Sequence, residues 1–494
     1  MKAQNVPFFE ALESRALLSV NAIALPNNTQ AALIHQAEAL AKYPWADGRN
    51  ESIVIIDVGV DYNHPALGGG FGGNHKVVDG FDFIKNTADP IPKANSGLSS
   101  PDNHGTFMAG VAASSGYDFN GQHYVGVAPN ANLIALRTGS LPTQVQAALQ
   151  WVVSHRVRYH IVAVNLMGTG VSGYRRELRQ LDDARVFVGS PASNIFSAST
   201  PLNVDPAAVS PHLYFTGASD NFNSIVTTSQ RGPYLDFLAP GDQIVGPSYD
   251  PSTGSETIEA LGGAYTSPTS PQIVGAAAVI KNINPAFTPD TIADILTRSG
   301  DPIFDPNSGL TYHRLNLLAA MDTAIQLTAL SPNQAMCPWP RSGTPFSVSS
   351  AITIQAEDFD SGGEGLAYHK PTPADIGPYT YRHSSMGIIP DSNAEGGAAI
   401  GGMETGEWVS YSVQVPVAGN YLIQPRLSAN GGQIHVKIGS RILKGIKLKS
   451  TGSAYAVVNA GMANLQSGNQ ILKVYIERAS GSAMKLDSVS LSKR

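Results

Sequence analysis

The sequence predicts two unlike units in tandem, an α/β domain on a parallel sheet followed by an all-β sandwich. Three observations carry this. Between about residues 50 and 325, short β-branched apolar runs alternate with helix-like stretches. That alternation implies a parallel sheet covered by helices on both faces. Residues 326–350, QLTALSPNQAMCPWPRSGTPFSVSS, lose periodicity and gain Pro and Ser, the texture of a linker. After residue 351, strand-like runs are separated by Gly/Asn turns and no helical period is sustained, which points to an antiparallel sandwich.

In chain order, the buried strands of the first unit read as SIVIIDVG, ANLIALR, IVAVNL, RVFVGS, LYFTGAS and LDFLAPG. TQVQAALQWVVSH places Val145, Ala148, Leu149 and Val152 on one helical face. YRRELRQLDDA reads as a charged surface helix. GGAYTSPTSPQIVGAAAVI, residues 262–280, starts a helix near Pro268 or Pro271, because proline is tolerated in a first turn. TPDTIADILTRSGD opens with a hydroxyl and an acid and ends near Gly300, matching helix start and stop signals. The second unit offers EWVSYSVQVPV, NYLIQPRLS, QIHVKIG and QILKVYIE as strands.

Bulk properties exclude several classes. The 494 residues suffice for two or three domains, and 42% hydrophobic with 14% charged residues allows sizeable cores. A net charge of -6 without a Lys/Arg run gives no reason to expect nucleic acid as a partner. The single Cys337 excludes an intrachain disulfide framework and a cysteine-based zinc site. No apolar run approaches the roughly 18 to 20 residues of a membrane span.

Three distant segments carry side chains for one site. Asp57 ends an apolar strand, and carboxyl ends of parallel strands open onto the ligand crevice. An acid there fixes the tautomer of a histidine, or serves as a plain turn former. His104, in PDNHGTFMAGVAAS, precedes Gly105 and a small-residue helix, and either projects into the crevice or lies on the surface. Ser267 follows Thr266 at a helix start, facing unpaired N–H groups and the positive end of the dipole. It is a nucleophile or simply a cap.

Together these segments resemble the subtilisin-like serine proteases. IIDVGVDYNHPALGG looks like that family's strand with the catalytic Asp, NHGTFMAGVAA like its His segment, and YTSPTSPQIVGAAAVI like its Ser segment. GVAPNANLIALR, LAPGDQIVGPS and RLNLLAAMDTA are further matches, and the resemblance covers about residues 40–325. It implies a triad of Asp57, His104 and Ser267. It also implies an oxyanion donor, which Asn194 in PASN matches best. Several positions depart from the family pattern. Val58 replaces a small hydroxyl residue, Phe107 a second histidine, Tyr265 a glycine and Pro268 a methionine. VNLMGTG is one residue short of the family's cleft strand. A tyrosine at 265 is expected to displace Ser267 by about 1 Å, which can cost about 10²-fold in rate. The segment before Asp57 is shorter than the family's usual folding propeptide, so activation by propeptide removal is not expected.

Residues 351–494 resemble the family 6 carbohydrate-binding modules, which are jelly-roll β-sandwiches, through ITIQAEDFDSGGEGLAYH, TGEWVSYSVQVPVAGNYLI and AMKLDSVSLS. The resemblance implies a structural Ca²⁺ held by Gln355, Glu357 and Asp487, all oxygen donors. It also implies a polysaccharide partner, although Gly402 stands where the family places an aromatic residue. Tyr381 and Tyr455 are the expected sugar-facing rings, with Trp408 assigned to the core. Residues 1–25 contain FEALESRALLS, similar to a short sorting motif of certain bacterial exported proteins, with Ser14 in place of proline. The alternative is one short amphipathic helix through Phe8, Phe9, Leu12, Leu17 and Leu18.

Two functions fit the whole. One is a secreted or surface serine endopeptidase acting on protein or peptide, with an accessory carbohydrate-binding-like module. The other is a catalytically impaired surface or binding protein on the same fold. An extracellular or cell-surface location is expected for both.

Overall fold

A computed structural model describes residues 29–94, 102–139, 141–167, 174–194, 196, 213–232, 234–329, 345–360, 367–371, 386–439, 441–481 and 484–494. The sorting-like FEALESRALLS, Cys337, most of the linker and Tyr381 lie outside the described residues.

The strands of the first unit are β1 (Ser52–Asp57), β2 (Val77–Asp82), β3 (Tyr117–Phe119), β4 (Gln122–Tyr124), β5 (Asn132–Arg137), β6 (Ile161–Leu166), β7 (Phe187–Pro191), β8 (Tyr214–Ser219), β9 (Leu235–Pro240), β10 (Val245–Asp250), β11 (Ser255–Ala260), β12 (Asp301–Asp305) and β13 (Leu310–Arg314). Its helices are α1 (Thr29–Leu33), α2 (Gln36–Lys42), α3 (His104–Ala113), α4 (Pro142–His155), α5 (Arg175–Asp183), α6 (Thr269–Ile283), α7 (Pro289–Ser299) and α8 (Leu317–Ala329).

Nine strands form one sheet in the order β12-β13-β9-β8-β7-β6-β1-β5-β2. All pairings are parallel except β12 with β13 at one edge. All six residues of β1 are buried, as an apolar run covered on both faces requires. Alternation divides them: Ile53 and Ile55 enter the core beneath α3, α6 and α8, while Val54 and Ile56 enter the core beneath α4 and α5. The four α4 residues expected on one face are the ones it buries. Helix α5 is charged, yet Glu177, Leu178 and Leu181 are buried. Helix α7 begins as its sequence indicates, with the Thr288 side chain accepting from Thr291 N–H.

The N-terminal helices are clipped to this domain. Gln36 Nε2 donates to Gly126 O at 2.7 Å, and Asp322 on α8 accepts from Lys42 Nζ at 2.7 Å and Tyr43 Oη at 2.6 Å. Helix α8 runs to Ala329, three residues past the expected start of the linker.

The second unit is a two-sheet sandwich. One sheet orders Phe346–Ser347, Trp408–Val415, Gly468–Ala479, Asn430–Ile438 and Arg441–Ser450, with Tyr368–His369 paired to Trp408–Val415. The other centres on Met484–Lys493 between Ala398–Met403 and Gly419–Ser428. Val409, Tyr411, Val413, Ile434, Val436, Leu472 and Val474 from the first meet Tyr421, Ile423, Val489 and Leu491 from the second. Phe346–Ser347 already pairs inside this sandwich, so its first strand precedes residue 351.

Candidate functional site

Asp57 is the last residue of β1, and α3 begins at His104. His104 Nδ1 lies 3.0 Å from Asp57 Oδ1 and 2.9 Å from Oδ2. Both residues are buried or nearly so, with side-chain exposures of 12% and 0%. Gly105 permits this approach: a Cβ there would stand 2.1 Å from Gly59 O and 3.0 Å from Asp57 Cβ. Burial pushes the His104 imidazole down, but the Asp57 charge and hydrogen bond outweigh it and hold it above its usual value. With Nδ1–H on the carboxylate, Nε2 is the basic nitrogen; it is buried and has no hydrogen-bond partner among the described residues.

The strand end is braced from beside it. Thr138 N–H donates to Asp57 O at 2.8 Å, and Val58 N–H donates to Asp57 Oδ1 at 2.7 Å. The buried Arg137, opposite Asp57 in register, gives its Nε–H to Val58 O at 2.9 Å and pairs with buried Asp82 at 2.7 Å. The histidine is braced too. Asn103 Nδ2 donates to Ser248 Oγ on β10 at 2.9 Å and to Glu259 Oε1 on β11 at 2.8 Å. Sequence reading missed these residues. A buried Arg is silent in a strand pattern, and Asn103 differs from any turn asparagine only by standing before His104.

Ser267 sits in the turn before α6, which packs on α3. Pro268 occupies the N-cap position and Pro271 falls in the first turn. Of the four hydroxyls in this stretch, Thr266, Thr269 and Ser270 are fully buried. Thr269 Oγ1 donates to Thr266 O at 2.6 Å, and Ser270 Oγ to Asn165 Oδ1 at 2.7 Å. Ser267 alone is partly exposed. Asn194 follows β7 and accepts the Thr266 N–H through Oδ1 at 2.8 Å, which turns its Nδ2 group the other way. The structure therefore ties Asn194 to the residue before Ser267, and Asp57 to His104.

Tyr265 and Phe107 are accommodated differently. Tyr265 has no positive φ, its N–H donates to Gly241 O at 2.9 Å, and its side chain is 45% exposed. Phe107 is buried beneath Gly246, where a Cβ would stand 2.9 Å from its ring.

In the sandwich, Gln355 Oε1 and Glu357 Oε1 face one cradle, 3.1 and 2.9 Å from where a Cβ on Gly396 would stand. Gln355 Oε1 is buried without a hydrogen-bond partner among the described residues. Asp487 is adjacent but committed: Oδ1 accepts from Glu395 N–H at 2.8 Å, and Oδ2 is held by Arg426. Among the described residues no three His, Cys, Asp or Glu side chains cluster for a metal.

Trp408 is not in the core. It is partly exposed on the outward face of its sheet, with the Lys473 ammonium 3.5 Å from its ring centroid. Strand alternation puts Val409 inside and Trp408 outside. Its ring continues a row with Tyr475 at 6.0 Å and His369 at 6.4 Å, and Tyr475 stacks on His435 at 4.4 Å. Tyr455 is less open, because Arg426 covers its ring at 5.0 Å and its hydroxyl donates to Asp391. Gly402 lies inside the Ala398–Met403 strand with φ 61°.

Residues 48–316 match the model of the subtilase family, and residues 379–493 match carbohydrate binding module (family 6). A thermophilic serine proteinase of Bacillus sp. (strain AK1) is 27% identical over 63% of this chain and 72% of its own length. Bacillopeptidase F of Bacillus subtilis (strain 168) is 28% identical over 56% of this chain but 21% of its own. Subtilisin E of the same species is 28% identical, and the match covers 50% of this chain and 60% of that protein. A crystal structure of a cold adapted subtilisin-like serine proteinase shares 24% identity with TM-score 0.43, over 55% of this chain and 90% of that one. With a nine-stranded α/β sheet carrying the matched segments, the chain belongs to the subtilase family of serine proteases and ends in a family 6 carbohydrate-binding module.

Proposed function

We propose that the protein is an exported serine endopeptidase that hydrolyses peptide bonds through Ser267, with His104 as general base. The observation that carries this reading is the buried Asp57–His104 pair, whose Nε2 has no hydrogen-bond partner among the described residues. Asp57 holds the tautomer and stabilises the imidazolium. His104 Nε2 takes the Ser267 proton and returns it to the leaving amine. Asn194 Nδ2 and the N–H groups at the start of α6 donate to the tetrahedral oxyanion. This division of labour is the triad scheme known for subtilisin itself.

A specific observation favours a weaker enzyme: no hydrogen bond joins Ser267 Oγ to His104 Nε2. Such bonds are often long before substrate binds. A fluorophosphonate probe with a general protein substrate tests the reading. Wild type is expected to form an adduct and cleave; Ser267→Ala is expected to do neither. A wild-type protein without adduct or cleavage would establish the impaired surface-protein reading instead.

The module is proposed to bind polysaccharide on the outward sheet face that carries Trp408 and Tyr475. Gln355 and Glu357 fit a structural Ca²⁺ by donor chemistry and by facing one cradle. Asp487 is proposed as a third ligand. The ion, when bound, would supply positive charge that ties the Ala351–Gln355 strand to Met484–Lys493. Export rests on the sorting-like N-terminus; among the described residues no helix is long and apolar enough to cross a membrane.

A further inference from the structure

Residues 262–267, GGAYTS, put an aromatic ring beside the proposed nucleophile. The backbone there is held from two sides. Tyr265 N–H donates to Gly241 O at 2.9 Å, and Ala264 bridges to Asp242 in antiparallel fashion. Thr266 N–H donates to Asn194 Oδ1 at 2.8 Å, and the Thr266 side chain is buried. The Tyr265 side chain leaves this support for the surface, where it is 45% exposed. It lies back along the two glycines. A Cβ on Gly263 would stand 3.3 Å from Cε2 and from Oη of the tyrosine, whereas one on Gly262 would meet nothing within 4 Å. The missing side chain at 263 gives the ring its seat on the backbone.

The same rim continues to a second ring. Strands β8 and β9 end side by side, with Ser219 opposite Pro240, and Gly241 N–H donates to Ser219 O at 2.9 Å. One step on, Asn221 Nδ2 donates to Asp242 Oδ2 at 3.4 Å. Phe222 follows, 86% exposed, on a turn fixed by Asp220, whose Oδ1 accepts from Phe222 N–H and Ser224 N–H at 2.8 Å each. Segments 219–222, 241–242 and 264–265 are therefore neighbours. They lie past the carboxyl ends of β8 and β9, the side of such a sheet on which ligands bind. A single exposed ring is ordinary on a protein surface. Two on one rim, the nearer of them two residues from a nucleophile, are placed to meet substrate.

We infer that Tyr265 sets substrate preference, receiving an aromatic or large apolar side chain of the peptide next to the scissile bond, with Phe222 extending that apolar rim. The inference rests on the proposed endopeptidase reading and adds a substrate class to it. Ser267 Oγ must come within about 3–3.5 Å of the carbonyl it attacks. Two residues of chain span at most about 7 Å, which bounds the separation of Tyr265 from Ser267 along the backbone. The peptide residues on either side of the attacked carbonyl follow the same spacing, so their side chains arrive at the rim that the ring occupies. Contact there removes apolar surface of both partners from water, and rings gain further from edge or offset stacking. A small or charged side chain gains less.

The test is cleavage of matched peptides that carry Phe, Ala or Glu at the two positions flanking the cut, followed by kcat/KM for wild type, Tyr265→Gly and Tyr265→Phe. Mass spectrometry reads the cleaved bond, and thermal melts confirm folding. Wild type is expected to favour Phe over Ala by about tenfold at one flanking position. Tyr265→Phe is expected to keep that preference. Tyr265→Gly is expected to lose it, with the Ala and Glu peptides little changed; Tyr265→Ala serves the same purpose should the glycine variant melt early. An unchanged preference in a folded ring-less variant would overturn the inference while leaving the endopeptidase reading intact. An equal rise in kcat/KM for every peptide would also overturn it, making the ring a brake on Ser267 instead of a wall for substrate. Cleavage by none of the proteins would overturn both.

Discussion

Asn103 and Glu259 are joined by a 2.8 Å hydrogen bond that links the start of the His104 helix to the hairpin leading to Ser267. His104 and Ser267 come from segments 163 residues apart in number (104 and 267), and this bond is a side-chain tie between their supports. Asn103→Ala is expected to lower kcat/KM by about 10- to 100-fold, since misplacement of about 1 Å costs that much. Asn103→Asp, which loses both donors and faces Glu259, is expected to be worse. Steady-state kinetics on a peptide substrate, with melts to confirm folding, decide it. Unchanged kinetics in the alanine variant would make Asn103 incidental.

The Asp57–His104 pair predicts a pH profile. Asp57 holds His104 above its ordinary value against the effect of burial. Activity needs the neutral imidazole, so kcat/KM is expected to rise with pH through a midpoint above the ordinary imidazole value of about 6.5. Asp57→Asn removes the upward influence and leaves burial alone. Its midpoint is expected to fall, with kcat reduced about 10⁴-fold. A midpoint that rises on this substitution would contradict the assignment.

Asp290, at the start of α7, couples the two units. Its Oδ1 accepts from Tyr214 at 3.0 Å, and its Oδ2 from Tyr368 of the module at 2.7 Å. Burial first, then the charges of Asp182 and Asp294, push its carboxyl up to about 7, while the tyrosine hydrogen bonds pull it down. A carboxyl raised in the folded state stabilises it most when protonated. That contribution is complete below about 4 and is lost as pH rises through about 7. Asp290→Asn is therefore expected to flatten the fall in melting temperature between about pH 5 and 8, and to gain on wild type at the upper end. Parallel melting curves for the two proteins would refute this.

Gly105 gives a steric prediction. A methyl group there collides with the Gly59 carbonyl and crowds Asp57. Gly105→Ala is expected to destabilise by about 1–3 kcal/mol, as overpacking does, and to lower activity in the fraction that folds. A denaturant midpoint equal to wild type would show that the α3–β1 contact relaxes freely.

Much of this was legible in the sequence, for a physical reason. Strands buried on both faces are long apolar runs, and β1 through β9 include six that read that way. Helices α4, α6 and α7 follow from periodicity, proline position and the Thr288 cap. Asp57, His104 and Ser267 were picked out by the resemblance of their three segments to the subtilisin-like serine proteases; strand end and helix start alone leave a turn former, a surface histidine and a plain cap open. What stayed hidden depends on pairings across long separations. The Arg137–Asp82 ion pair joins residues whose charges argue against burial until they meet. Trp408 was misplaced because one aromatic in an alternating strand does not announce which face is inward. That depends on register with Tyr475 and His369.

The N-terminal clip has a bearing on maturation. Gln36, Lys42 and Tyr43 are bound to Gly126 and Asp322, so the domain holds its own chain from Gln36 onward. A processing enzyme that cuts ahead of Gln36 would leave these three contacts in place. One that cuts between Gln36 and Tyr43 would strip a side chain from the Gly126 turn and uncover α8. These contacts therefore mark how far the N-terminus can be trimmed before the folded domain is disturbed.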